Sequence, residues 1–127
     1  MKKFVIATGL FNIGAALTFI IPGGLAPTGI TAPDNRFWLL LPAFFLLFMG
    51  IMLIFAARDL EHRAVIVFWD GMLRTAAFFL FAWLGYSTGN IMAGLLGVVD
   101  LAIALAYFIG LPRALGRDFM DILLDRR

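Results

Sequence analysis

The chain has 127 residues, 63% hydrophobic and 14% charged, with a mean hydropathy of +1.00, a formal net charge of +2 and no cysteine. A soluble domain is nearer half apolar and about a quarter charged, so this chain is expected to have lipid rather than water as its solvent. Disulfides, zinc–thiolate sites and thiol redox chemistry are excluded, and so small a charge gives no hold on nucleic acid.

A membrane helix takes about 20 apolar residues. The first segment of that kind runs over residues 4–21 and ends at Pro22, Gly23 and Gly24. Its start, "MKK" before an apolar run, has the outline of a secretory signal. The length of the run, Asn12 at its centre and Pro27 directly after Ala26 make a retained span the better reading.

The second segment, 37–57, is apolar and aromatic throughout and carries no polar residue at depth. Pro42 kinks it or sits within its first turn, and Gly50 has no evident role. The loop "ARDLEHR" leads to the third segment, 64–84, and the uncharged "GYSTGN" leads to the fourth, 90–111, which Pro112 is expected to end. Loops this short place neighbouring helices antiparallel. The expected fold is therefore all-α, a four-helix up-down membrane bundle over residues 1–111, followed by a tail over 112–127.

Lys2, Lys3, Arg58, Arg63, Arg113, Arg117, Arg126 and Arg127 all fall on one side of such a bundle, and Arg36 alone on the other. By the bias of basic residues toward the inside, both termini are expected on the cytoplasmic side. Trp38, Trp83 and Tyr86 sit where the spans reach the outer interface, as amphipathic rings prefer.

The tail "PRALGRDFMDILLDRR" has a proline suited to a first helical turn. Leu115, Phe119, Ile122 and Leu123 share one face, with Arg117, Asp118, Asp121 and Asp125 mostly on the other. This predicts an amphipathic helix lying on the cytoplasmic surface or docking on a partner, with Arg117 paired to Asp121.

The opening chemistry lies in "FWDGMLRT". At 1.5 Å per residue, Arg74 lies about 15 Å into the third segment and Asp70 about 9 Å, on one face. Asp100 is about 15 Å into the fourth segment from the other side, and Asn12 is central in the first. A charge facing lipid at that depth costs roughly 2.5 to more than 10 kcal/mol, so these groups should face inward and meet. Arg74 is expected to bridge Asp70 and Asp100, its planar fork serving two carboxylates, with Asn12 donating a further bond. Two acids and one arginine leave a formal −1, so one aspartate is protonated or a cation compensates; either aspartate fits. Ala93, Gly97, Asp100, Ala104 and Tyr107 share a face of the fourth segment, where small residues admit a close neighbour. Gly9 and Ala16 flank Asn12 in the same way. Tyr107 either extends a polar path or, more simply, reaches the interface with its hydroxyl.

No H-E-x-x-H, G-x-S-x-G or phosphate-loop pattern is present. "GLFNIG" and "GLLGVVD" read as packing glycines. No histidine lies within a span to hold a haem, methionine ligation by Met49, Met52, Met72 or Met92 is a poor substitute, and no cofactor is expected. His62 with Glu61 and Asp59 reads as a solvated loop before a weak metal site.

The order of these features has a further aspect. A short first helix with an Asn and a proline-bearing outer loop precede "FWLLLPAFFLLFMGIMLIFAARD". An arginine within the third helix and "GVVDLAIALAYFIGLP" in the fourth follow. Over most of its length the chain resembles small four-helix bacterial membrane proteins of the broadly DoxX-like type. That resemblance implies the same four-helix bundle and no reaction.

The reading that follows is an accessory or structural subunit, with lipid and a second copy or a larger membrane complex as partners and the Asp70–Arg74–Asp100 group as a clamp. The alternative is a small proton-linked carrier, or a binder of an amphipathic ligand, working as a homodimer. An enzyme comes third, with the same cluster as its only possible centre.

Overall fold

The computed structural model describes residues 1–126; Arg127, counted above among the basic residues of the tail, lies outside the described residues. Five α-helices account for nearly all of the described chain: α1 (Lys2–Ile20), α2 (Phe37–Arg58), α3 (Leu60–Thr88), α4 (Ile91–Leu115) and the short α5 (Phe119–Leu123). A single 3-10 turn, Ala26–Thr28, lies in the α1–α2 connection, and no strand occurs among the described residues. Helices α1 to α4 are each long and apolar enough to cross a membrane.

Several boundaries differ from those expected. Helix α3 gains a turn at each end, through the flanking "LEHR" and "GYST", which contain no proline; only Asp59, at φ −144° and ψ 71°, interrupts the chain before it. Gly89, at φ 67°, stops α3. Asn90 then caps α4, its side chain accepting from the backbone N–H groups of Met92 and Ala93. Pro112 neither ends α4 nor starts a new helix; the helix runs through it to Leu115. Proline's fixed φ suits a helix, and so near the end the missing N–H removes just one bond. The true stop is Gly116, at φ 61°, a left-handed conformation that glycine adopts without a steric penalty.

The tail also departs from expectation. Rather than a surface helix from residue 112, it forms the five-residue α5, folded back onto its own chain. Ile122 is fully buried. The Phe119 ring meets Phe68 with centroids 4.6 Å apart and Phe108 at 5.5 Å. The Trp69 indole N–H donates to the Leu123 carbonyl at 3.3 Å. Arg117 pairs with carbonyls, not with the Asp121 carboxylate. Its guanidinium donates to the backbone oxygens of Glu61 at 3.4 Å, Asp121 at 3.2 Å and Arg126.

The helices pack chiefly as two pairs, α1 with α2 and α3 with α4, with α2 and α3 in looser contact. In the second pair Gly85 faces Gly94, Gly97 faces Phe78 and Phe81, and Gly71 faces Phe108. Numbers rise along one helix as they fall along the other. In the first pair Gly9 and Gly50 meet backbone to backbone. A Cβ on Gly50 would lie 2.6 Å from the Gly9 carbonyl oxygen, and one on Gly9 would lie 2.7 Å from that of Gly50. Gly50, which carries no signal in the sequence, is thus the crossing point of α1 and α2. Such contacts between small residues let dispersion act where apolar burial drives little.

The apolar core is concentrated at one end. Val5, Leu53, Val67, Phe68, Leu111 and Ile122 form one cluster, joining all four long helices and α5. Toward the other end the buried apolar residues of the helices are the alanines 16, 43 and 93. Larger side chains there point outward, and Trp38, Trp83 and Tyr86 are exposed.

Gly50→Val should lower stability in detergent unfolding by about 1–3 kcal/mol or more, because a backbone carbonyl cannot move aside. Gly14→Ala, where a Cβ meets nothing within 4 Å, should be neutral or slightly stabilising.

Candidate functional site

The site begins where the apolar core ends. Asn12 on α1, Asp70 and Arg74 on α3, and Asp100 on α4 come together around one guanidinium. Arg74 Nε donates to Asp70 Oδ2 at 2.8 Å, Nη1 to Asp100 Oδ1 at 2.7 Å, and Nη2 to Asn12 Oδ1 at 2.6 Å. Helical spacing explains the first contact, since residues four apart lie one above the other. The others need α1 and α4 to place a side chain at the same level. By helix rise, Asn12, Arg74 and Asp100 lie about 15, 21 and 14 Å from the N-terminal ends of α1, α3 and α4.

Asn12 accepts where the sequence reading has it donate. A guanidinium offers only donors, so the amide must present its oxygen. The hydrogen-bonding demand is met throughout: no buried side-chain nitrogen or oxygen among the described residues lacks a partner. Exposure is uneven. The side chains of Asp70 and Arg74 are 2% and 5% exposed, and that of Asp100 is 16% exposed.

Tyr107, expected to reach the interface, is fully buried. Its hydroxyl pairs with Thr8 Oγ1. The Thr8 hydroxyl donates to the Val5 carbonyl at 2.9 Å, so Tyr107 is the donor to Thr8. Phe4 packs edge-on against the Tyr107 ring, with centroids 5.7 Å apart. Thr8 is the site residue that the sequence reading missed. Its signal was present: Thr8 is one turn before Asn12, on the face that also holds Val5, Gly9 and Ala16. The two polar contacts, Asn12–Arg74 and Thr8–Tyr107, both join α1 of one helix pair to a helix of the other.

His62 lies far from this group. Its Nδ1 is 2.9 and 3.0 Å from the two carboxylate oxygens of Asp59, in an exposed pair. The hydrogen bond to His62 holds the Asp59 carboxyl below its usual range. No group of three or more potential metal ligands occurs among the described residues. Two surface clefts, of about 650 and 440 Å³, lie at opposite ends of the chain's helices. One is bordered by His62 and Arg117, the other by Ile30 and Leu84, and neither includes Asn12, Asp70, Arg74 or Asp100.

Comparison with protein-family profiles, with curated proteins and with solved structures finds no match. The chemistry has to be read from the cluster itself. It holds a permanent cation between two acids, offers no nucleophile beside a base, and adjoins neither cleft.

Replacing Arg74 by Leu should leave two buried carboxylates facing each other and lower stability by about 3–5 kcal/mol in detergent unfolding. Asn12→Leu, which strands a guanidinium N–H, should lower it by about 1–3 kcal/mol. Tyr107→Phe should remove about 0.6 kcal/mol, the usual size of a hydrogen bond between membrane helices. A Tyr107→Phe loss equal to that of Arg74→Leu would take the guanidinium out of its central place.

Proposed function

We propose that this protein is a bacterial inner-membrane protein of the broadly DoxX-like type. Its four long helices cross the bilayer as an up-down bundle with both termini in the cytoplasm. It serves as an accessory or structural subunit, associating with itself or with a larger membrane assembly. The observation that carries this reading is the engagement of all three Arg74 guanidinium nitrogens by groups from three helices. A guanidinium so engaged fixes helix register and depth.

Other features support the reading. Met1 lies against Gly110, and Arg117 reaches Glu61, so the ends rich in Lys and Arg are gathered together. Arg36, the exception, donates instead to the Ile20 carbonyl in the first connection. Concentration of basic residues at one end favours that end staying in the cytoplasm. Helix α2 turns Phe44, Phe45, Phe48 and Phe55 outward, a surface suited to acyl chains or to an apolar partner helix.

The competing reading is a small proton-linked carrier, or a binder of an amphipathic ligand acting as a homodimer. The surplus negative charge of the cluster favours it. The position of the two clefts, away from the cluster, favours the subunit.

Native mass spectrometry after gentle extraction should give a stable mass containing further polypeptides or a defined oligomer, and Asp100→Asn should weaken that assembly. An Asp100→Asn protein that stays folded and assembled but loses pH-dependent transport would replace the subunit by the carrier. Because the chain has no cysteine, single cysteines report topology directly. Ser87→Cys should react with an impermeant maleimide added outside intact cells, and Asp121→Cys should not.

A further inference from the structure

The cluster carries one negative charge too many, and the structure distributes its exposure unequally. The groups facing the centre can be named for each packed helix. Helix α1 offers Asn12 and Thr8, neither of which ionises. Helix α3 offers Asp70 and Arg74, and α4 offers Asp100 and Tyr107. The buried face of α2 is Ala43, Gly50, Leu53, Ala56 and Ala57, with no titratable group. Arg74 balances one carboxylate. The Tyr107 hydroxyl is committed to Thr8, and among the described residues the second carboxylate has no cation of its own.

The two aspartates are not equivalent. Asp70 is sealed, its side chain 2% exposed, and it takes the Nε–H of the arginine on its own helix. Asp100 is 16% exposed and receives its Nη1–H through one oxygen, Oδ1. Its opening lies about 14 Å from the start of α4 and about 22 Å from its end. Val99, the preceding residue on α4, is exposed. At that depth in a bilayer an accessible carboxylate edge meets acyl chains, where unpaired charge is most costly. A proton removes the surplus charge with no other ion needed.

We propose that Asp100 is the cluster's proton-holding carboxyl, opening sideways onto the hydrocarbon, and is therefore a site of modification by apolar carboxyl reagents. This rests on the membrane-spanning part of the function proposed above and not on the subunit role. With a dialkylcarbodiimide the step balances. The carboxyl O–H proton passes to one reagent nitrogen, and the carboxyl oxygen bonds to the central carbon. The acyl group then shifts from oxygen to nitrogen to give an N-acylurea. The carboxyl's own acyl C–O bond is broken in that shift, its oxygen stays on the central carbon as the urea carbonyl, no group leaves and nothing is oxidised.

The test is dicyclohexylcarbodiimide treatment of the full-length protein in nanodiscs of phosphatidylethanolamine and phosphatidylglycerol, across a pH series, with adducts mapped by peptide mass spectrometry. A single adduct is expected within the spans, at Asp100, with a yield that falls as the pH rises. A water-soluble carbodiimide should instead modify Asp59, Asp118 and Asp121. Asp70→Asn should reduce the Asp100 adduct about tenfold or more, although Asp70 itself carries none, because Arg74 then balances Asp100 alone and the cluster no longer needs a proton to be neutral. An adduct on Asp70, a yield at Asp100 that ignores pH, or no adduct at Asp100 at any pH would each overturn the proposal. The mapping on the unsubstituted protein needs no variant to fold. Failure of the subunit reading would show in native mass spectra, and failure of the membrane reading in the Ser87→Cys labelling, so neither is confused with failure at Asp100.

Discussion

A guanidinium placed where water is absent must find an acceptor for each N–H it turns inward, and it cannot escape by losing its proton. Arg74 places one N–H of each guanidinium nitrogen on an acceptor, one from its own helix and one from each of two others. Each acceptor is directional, so the rotation and the axial position of α1, α3 and α4 are fixed together. Slipping any one helix by a residue would break a charge-assisted bond. Apolar packing cannot supply such register between helices in lipid, because lipid tails compete on equal terms. The close glycine contacts bring helices together, and the arginine decides how they are aligned.

The arrangement of the helices gives that role more weight. The two tight pairs, α1–α2 and α3–α4, each hold themselves together through small residues, while the contact between α2 and α3 is looser. Buried polar contacts cross from one pair to the other at Asn12 to Arg74 and at Thr8 to Tyr107, and an exposed one runs from Arg63 to the Phe55 carbonyl. The apolar cluster that includes α5 closes the seam at the end where the basic residues gather. Strength and specificity therefore lie in different places, with the core at one end and the ion network beyond it.

Much of this was legible in the sequence, for a plain physical reason. A charge inside a long apolar run stands out, and its energetic cost dictates that it seek partners, so Asp70, Arg74, Asp100 and Asn12 could be picked before any coordinates. The four long helices were legible by length alone. Gly50 was not, because the value of a glycine depends on the residue facing it, and its partner Gly9 is on another helix. Thr8 was hidden because a threonine can satisfy itself on its own helix. The sense of the Asn12 bond could have been deduced, since an arginine accepts nothing. The tail's pattern announced an apolar face but not the surface it would cover, which proved to be Phe68 and Phe108 of its own chain.

The position of Asp100 on the last long helix has a consequence for biosynthesis. For a chain delivered to a bilayer helix by helix, Asn12 is in place before Arg74 arrives, and Asp70 arrives with it on the same helix. The nascent protein at that stage holds a neutral ion pair with an amide beside it. Asp100 comes last, to a partner already balanced by another acid. On that order of delivery Arg74 is never alone in the hydrocarbon, and under the protonation proposed above the residue that completes the structure enters as an uncharged acid.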